Sequence, residues 1–64
     1  MFRIILGNQT ELNKSFDTFE DAEFYRSYQI KDLFTRRMIF DDRKEYYNFQ
    51  LKDWMQSKIE KAPQ

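Results

Sequence analysis

The sequence predicts a small α+β domain, in which an N-terminal β-hairpin packs against a long helix and a second, C-terminal helix. Three observations predict this ββαα order. Apolar residues alternate over 2–6, a helix-capping pattern begins at Thr18, and a second capping pattern begins at Asp42. Because 64 residues leave room for one domain at most, residues 1–64 are expected to form a single compact unit.

The hairpin is predicted from strands at about 2–6 and 12–16. Apolar residues occupy alternate positions of the first run, as in a strand that buries one face. Residues 7–8, a glycine and an asparagine, then interrupt the strand, since both readily take positive φ angles in turns. We expect Leu6 to pair with Leu12. The apolar face would then comprise Phe2, Ile4, Leu6, Leu12 and Phe16, with Phe2 opposite Phe16.

The first helix is predicted over about 18–35. Thr18 has the N-cap position and Asp21 follows three residues later, as in a capping box. Acidic residues are frequent in the first turn, where the helix dipole favours negative charge. The residues expected to form its core stripe are Phe19, Ala22, Ile30, Leu33 and Phe34.

The second helix is predicted over about 42–61. Asp42 is expected to cap it, with Glu45 at the third helical position. The residues expected to face the core are Tyr47, Leu51, Trp54, Met55, Ile59 and Ala62. Tyr46 and Phe49 lie off this stripe.

The segment between the two helices admits more than one interpretation. Met38, Ile39 and Phe40 could finish the first helix, or residues 36–40 could form a short third strand beside the hairpin. A further alternative makes residues 36–51 a second hairpin, because periodicity alone assigns short aromatic runs poorly.

The composition excludes most catalytic and metal chemistry. The chain has no cysteine and no histidine, so disulfides, the usual zinc sites, thiol nucleophiles and imidazole bases are all ruled out. Its single glycine also excludes a glycine-rich phosphate loop. We therefore expect a protein that is not an enzyme and that needs no cofactor and no metal.

The same composition bears on compartment and origin. No apolar run approaches the roughly 18 residues that a membrane span needs, so no membrane partner is expected. Together with the lack of cysteine, this predicts a cytoplasmic protein. Phe, Tyr, Met, Ile, Asn and Lys together account for 28 of the residues and valine is absent, a bias typical of AT-rich coding. A bacterial, phage or mobile-element origin follows as an expectation.

The first candidate site is an aromatic group on the first helix. Phe24, Tyr25 and Tyr28 project roughly opposite the core stripe, which makes this helix apolar on two sides. Either the second helix covers this face, or the face contacts another protein chain. Exposed aromatic patches usually mark association, so the leading hypothesis is a protein-binding protein, with a homodimer as one form of it.

The second candidate site is a basic cluster with neighbouring tyrosines. Its cations are Arg36, Arg37, Arg43 and Lys44. Arginines for phosphates and aromatic rings for bases would suit single-stranded nucleic acid, which is the alternative function. Asp41 and Asp42 lie inside the cluster, and eleven basic residues balance eleven acidic ones, whereas nucleic-acid-binding domains are usually strongly basic.

Overall fold

The chain forms a three-stranded sheet covered by a helical hairpin, as seen in a computed structural model that describes residues 1–62. The elements in chain order are β1 (Phe2–Ile5), β2 (Glu11–Phe16), α1 (Phe19–Ile39), a short 3₁₀ helix (Asp41–Arg43), α2 (Lys44–Met55) and β3 (Lys58–Lys61). The sheet is antiparallel, in the order β2-β1-β3. The predicted α+β class, with an N-terminal hairpin followed by two helices, is confirmed.

The start of α1 follows the predicted capping pattern. The backbone N–H of Asp21 donates to Thr18 Oγ1 at 3.1 Å, which confirms Thr18 as the N-cap. A cap of this kind stabilises a helix by about 1 kcal/mol. Thr18 thus sets where the chain leaves β2 and turns across the sheet.

The end of α1 lies beyond the predicted boundary near residue 35. The helix continues to Ile39, and the N–H of Phe40 still donates to the carbonyl of Arg36 at 2.8 Å. The suggested strand at 36–40 and the second hairpin at 36–51 are therefore wrong. Glycine and proline are absent from this stretch of the sequence, so the helical hydrogen-bond ladder runs on.

The start of α2 also differs from the prediction. Asp42 lies within the 3₁₀ helix, and the helical N-cap is Arg43. The N–H of Arg43 donates to the carbonyl of Phe40 at 2.9 Å, so the chain is already coiled before it reaches Lys44. A tight turn of this kind replaces the side-chain cap that the sequence pattern suggested.

The end of α2 is the largest correction. The predicted helix over 42–61 stops at Met55, and β3 follows it. In β3, Ile59 pairs with Ile4 on the free edge of β1, which supplies backbone partners that a longer helix would leave unused. The sheet therefore gains its third strand from the C-terminal segment. The predicted domain limits include residues 63–64, which lie outside the described residues.

The hairpin register agrees with the prediction at one end only. Phe2 pairs with Phe16 as expected, but Leu6 donates to the carbonyl of Thr10 at 2.8 Å and does not pair with Leu12. The turn is tighter than expected because the N–H of Gln9 closes on the carbonyl of Leu6 at 2.9 Å. The surplus residues of β2 are accommodated by an irregularity in the ladder.

Gly7 has a different role from the one expected. The positive φ of this turn, 71°, belongs to Gln9. Gly7 instead allows a close approach between the turn and the end of α2, where its N–H donates to the carbonyl of Asp53 at 2.9 Å. A Cβ at this position would lie 2.8 Å from the Cβ of Gln56. The turn and α2 can therefore touch only through a residue without a side chain.

The core lies where the sheet, α1 and α2 meet. Its buried side chains are Ile4, Phe16, Ala22, Leu33, Tyr47, Leu51 and Trp54. Three residues expected in the core stripes, Phe19, Phe34 and Met55, are exposed. The two helices pack side by side, so side chains that flank their contact stay open to solvent.

Candidate binding surfaces

The chain exposes more large apolar side chains than it buries. Among the described residues, eleven large hydrophobic side chains are exposed, against seven hydrophobic residues in the buried core. Single exposed apolar residues are ordinary on protein surfaces. Apolar side chains that share one patch are not, since such patches usually bind something. The arrangement of these residues therefore matters more than their number.

A groove between α1 and α2 gathers several of them, and we call it the seam face. It is lined by Phe34, Arg37, Asn48, Leu51, Lys52, Met55 and Gln56, and encloses about 570 Å³. Leu51 forms its floor and is 3% exposed, whereas Met55 on its rim is 57% exposed. A neighbouring depression, which we include in the seam face, shares Asn48 and Lys52 with the groove and adds Glu45 and Phe49, of which Phe49 is 74% exposed.

Hydrogen bonds from α1 to α2 and to the segment just after α2 hold the seam face in shape. Near the tip of the helical hairpin, Arg37 Nη1 donates to Asn48 Oδ1 at 2.8 Å. Near the sheet, Arg26 Nε donates to Ser57 Oγ at 2.7 Å. The guanidinium of Arg37 also lies 4.9 Å from the ring centroid of Phe34, within cation–π range. The charged residues that line the groove, Arg37 and Lys52, are both cations.

The aromatic group predicted as the binding site does not form one surface. Phe24 and Tyr28 are 76% and 58% exposed, and lie one turn apart on the outer side of α1. Tyr25 points inward, with its ring centroid 5.3 Å from that of Phe16 and 6.1 Å from that of Trp54. A step of one residue rotates a side chain by about 100° around a helix, which separates Tyr25 from its neighbours.

Two arginines of the predicted basic cluster are held by other side chains. Arg36 Nε donates to Asp32 Oδ2 at 2.8 Å, one helical turn away. This hydrogen bond and the charge of the carboxylate raise the pKa of the Arg36 guanidinium above its ordinary value. Arg37 is bound to Asn48, as described above. Less of their hydrogen-bonding capacity is left for phosphate groups.

The other two cations of the cluster share a shallow concavity with carboxylates. Arg43 and Lys44 line a concavity of about 610 Å³ at the start of α2. Three acidic residues line the same space, and they are Asp41, Asp42 and Glu45. These carboxylates offset the positive charge and oppose the approach of a nucleic-acid backbone.

The outer face of the sheet is polar in contrast to the seam face. Arg3 Nη1 lies 3.1 Å from Glu11 Oε1, and Arg3 Nη2 lies 3.7 Å from Glu60 Oε2. Lys58 Nζ lies 3.1 Å from Glu60 Oε1. These ion pairs span all three strands, so the charged side chains that form them are paired with one another on this face.

Residues 1–62 provide neither a cluster of metal ligands nor a membrane-spanning helix. No group of three or more Asp and Glu side chains is placed there to hold a metal ion. No helix in that part of the chain combines the length and the apolar character that crossing a membrane requires.

No protein-family model matches the chain, and neither the curated proteins nor the solved structures compared with it gave a match.

Most of the seam face consists of residues whose exposure the sequence does not predict. Phe34 and Met55 fit the helical core stripes, and their spacing alone does not show that nothing covers them. Phe49 did carry a signal, because it lies off the stripe of its own helix and is nevertheless aromatic. An aromatic residue on the polar side of a helix is the pattern that points to such a surface.

Proposed function

We propose that this chain is a small, non-catalytic protein-binding protein of a bacterial or phage cytoplasm, and that it binds through the seam face. The observation that carries this proposal is the groove between α1 and α2, where Phe34 and Met55 lie exposed around Leu51, and Phe49 lies exposed in the neighbouring depression. Aromatic residues, methionine and arginine are enriched in protein interfaces. The groove combines all three.

The chemistry of the surface supports a protein partner over a nucleic acid. The net charge is zero, and the cations of the basic cluster lie beside carboxylates or are bonded to other side chains. Nucleic-acid affinity depends chiefly on neutralising phosphates with unengaged Lys and Arg. Apolar association depends instead on surface removed from water, which the seam face supplies.

Site-specific photo-crosslinking tests the proposal. Phe49 is replaced by the photoreactive residue p-benzoylphenylalanine, and the protein is expressed in the organism that encodes it. Irradiation should give a covalent adduct with a protein, because the ring at position 49 projects from the rim of the seam face. The adduct is detected and its mass measured after denaturing electrophoresis.

The matched control carries the same photoreactive residue at Ser15, which pairs with Arg3 and is exposed. Position 15 should give no comparable adduct, because it is remote from the groove. An equal yield at the two positions, no adduct at position 49, or an adduct with nucleic acid would contradict the proposal.

A further inference from the structure

We propose that the partner is a second copy of this chain, packed antiparallel across the seam face about a two-fold axis near Met55. The inference rests on the proposed function, since it names the protein that the seam face binds. It is drawn from the order of apolar and charged residues along this side of the molecule.

The seam face and a second concavity nearer the sheet lie on the same side of α1, because Glu23 and Phe34 are eleven residues, or about three helical turns, apart. Gln56 lines the groove, and its neighbour Ser57 lines the second concavity, which encloses about 330 Å³. The other residues around this second concavity are Phe19, Glu23, Arg26 and Ile59. Exposed aromatic rings therefore occur at both ends of one long surface, Phe49 near the tip of the hairpin and Phe19 near the sheet.

Charge is ordered along the same surface. Glu23 lies at the sheet end, whereas Lys52 and Arg37 lie towards the tip, with Glu45 beyond Lys52 in the depression around Phe49. Arg26, between them, is turned inward, where Nε donates to Ser57 Oγ and Nη2 donates to the carbonyl of Met55 at 3.2 Å. The sheet end of the surface therefore presents an anion, and the part towards the tip presents two cations and one anion.

The hydrogen bonds between the helices fix the relative heights of these charges. Arg37 of α1 bonds Asn48 of α2, and Arg26 of α1 bonds Ser57, which follows α2. These two bonds fix the position of one antiparallel helix relative to the other along their axes. Lys52 is four residues from Asn48 along α2, which places it about 6 Å nearer the sheet. Glu23 precedes Arg26 by three residues and so lies about one turn nearer the sheet. Along the helix axes, Met55 therefore lies between Lys52 and Glu23.

A two-fold axis at this height pairs opposite charges. It brings Glu23 of each copy to Lys52 of the other, with Met55 of both copies at the centre. Parallel packing would set Lys52 against Lys52 and Glu23 against Glu23, which is unfavourable. A self-complementary surface of this kind is what a symmetric dimer requires.

The size of the surface is also suitable. The molecule extends over 43 × 20 × 16 Å, and the seam face follows its long dimension along the helices. A stable interface buries about 800 Å² on each partner. Only a broad side of so small a chain can supply that area.

Charge reversal tests the proposed pairing. Lys52→Glu alone and Glu23→Lys alone should each weaken dimerisation about tenfold, because each creates two symmetry-related like-charge contacts at the rim. An equimolar mixture of the two variants should recover dimers, since every contact in the mixed dimer joins opposite charges. Sedimentation velocity at matched total concentration measures all three samples, and circular dichroism checks that each variant is folded.

Lys31→Glu is the control, since it makes the same charge change at an exposed lysine beside Tyr28 on the outer side of α1, away from the groove. It should dimerise like the wild type. A wild type that remains monomeric at high micromolar concentration, or a mixture that sediments like its separate components, would overturn the dimer. The mass of the crosslinked adduct at position 49 shows whether only the dimer is wrong or protein binding is wrong as well. A mass other than twice that of the chain would contradict self-association and still support protein binding.

Discussion

Replacing Ile4 by alanine should lower the free energy of unfolding by about 3 kcal/mol. Ile4 is 0% exposed, lies in the central strand β1, and pairs with Ile59 across the β1–β3 ladder. Its truncation leaves a cavity between the sheet and the helices that the rigid central strand cannot close. Domains of this size have stabilities near the low end of about 5–15 kcal/mol, so the loss is a large fraction of the total.

Urea denaturation followed by circular dichroism measures the effect, at low micromolar concentration so that association does not add to the stability. Ile5→Ala is the matched control. It removes the same atoms from the same strand, but on the opposite face, where Ile5 is only partly buried. We expect Ile5→Ala to cost less than about 1 kcal/mol. Equal losses for the two variants would mean that the core does not lie on the Ile4 side of the sheet.

Replacing Trp54 by alanine should have a similar or larger effect, about 3–5 kcal/mol. Trp54 is buried at the junction of the layers, with its ring centroid 6.1 Å from that of Tyr25. Tyr25 in turn contacts Phe16 of β2, so the tryptophan links α2 to the sheet through α1. The variant is expected to be largely unfolded at room temperature.

Phe49→Ala on the same helix is the control for Trp54→Ala. Its ring is mostly exposed, so the truncation should change the free energy of unfolding by less than about 0.5 kcal/mol. The comparison separates aromatic residues that stabilise the fold from those that lie exposed on its surface. A loss at position 49 comparable with that at position 54 would show that Phe49 belongs to a core and would remove it from the seam face.

The parts of the fold that local sequence specifies were predictable. The N-cap at Thr18, the apolar alternation of β1 and the stripe that includes Ala22 and Leu33 depend on residues close in the chain. β3 was not predictable in this way, because Ile59 fits the helical spacing from Met55 as well as it fits a strand. What decides between them is the free edge of β1, which lies more than fifty residues earlier in the sequence.

The presence of exposed aromatic side chains was predictable from the sequence, but their position was not. An excess of aromatic residues follows from the composition, and it led to the expectation of a surface for another chain. Where that surface lies depends on how far the sheet extends along α1 and on which flank of the two helices stays open. These are tertiary properties, so Tyr25 was placed outside and Phe34 and Met55 inside, the reverse of their positions in the structure.

Amide NMR spectra recorded over a dilution series would show which surface of the chain associates. If the seam face does so, chemical shifts should change with concentration at Phe34, Lys52 and Met55 and at their neighbours on α1 and α2. Shifts on the outer face of the sheet, at Arg3 and Ser15, should stay constant. Spectra that do not depend on concentration, or changes that map to the outer face of the sheet, would contradict association through the seam face.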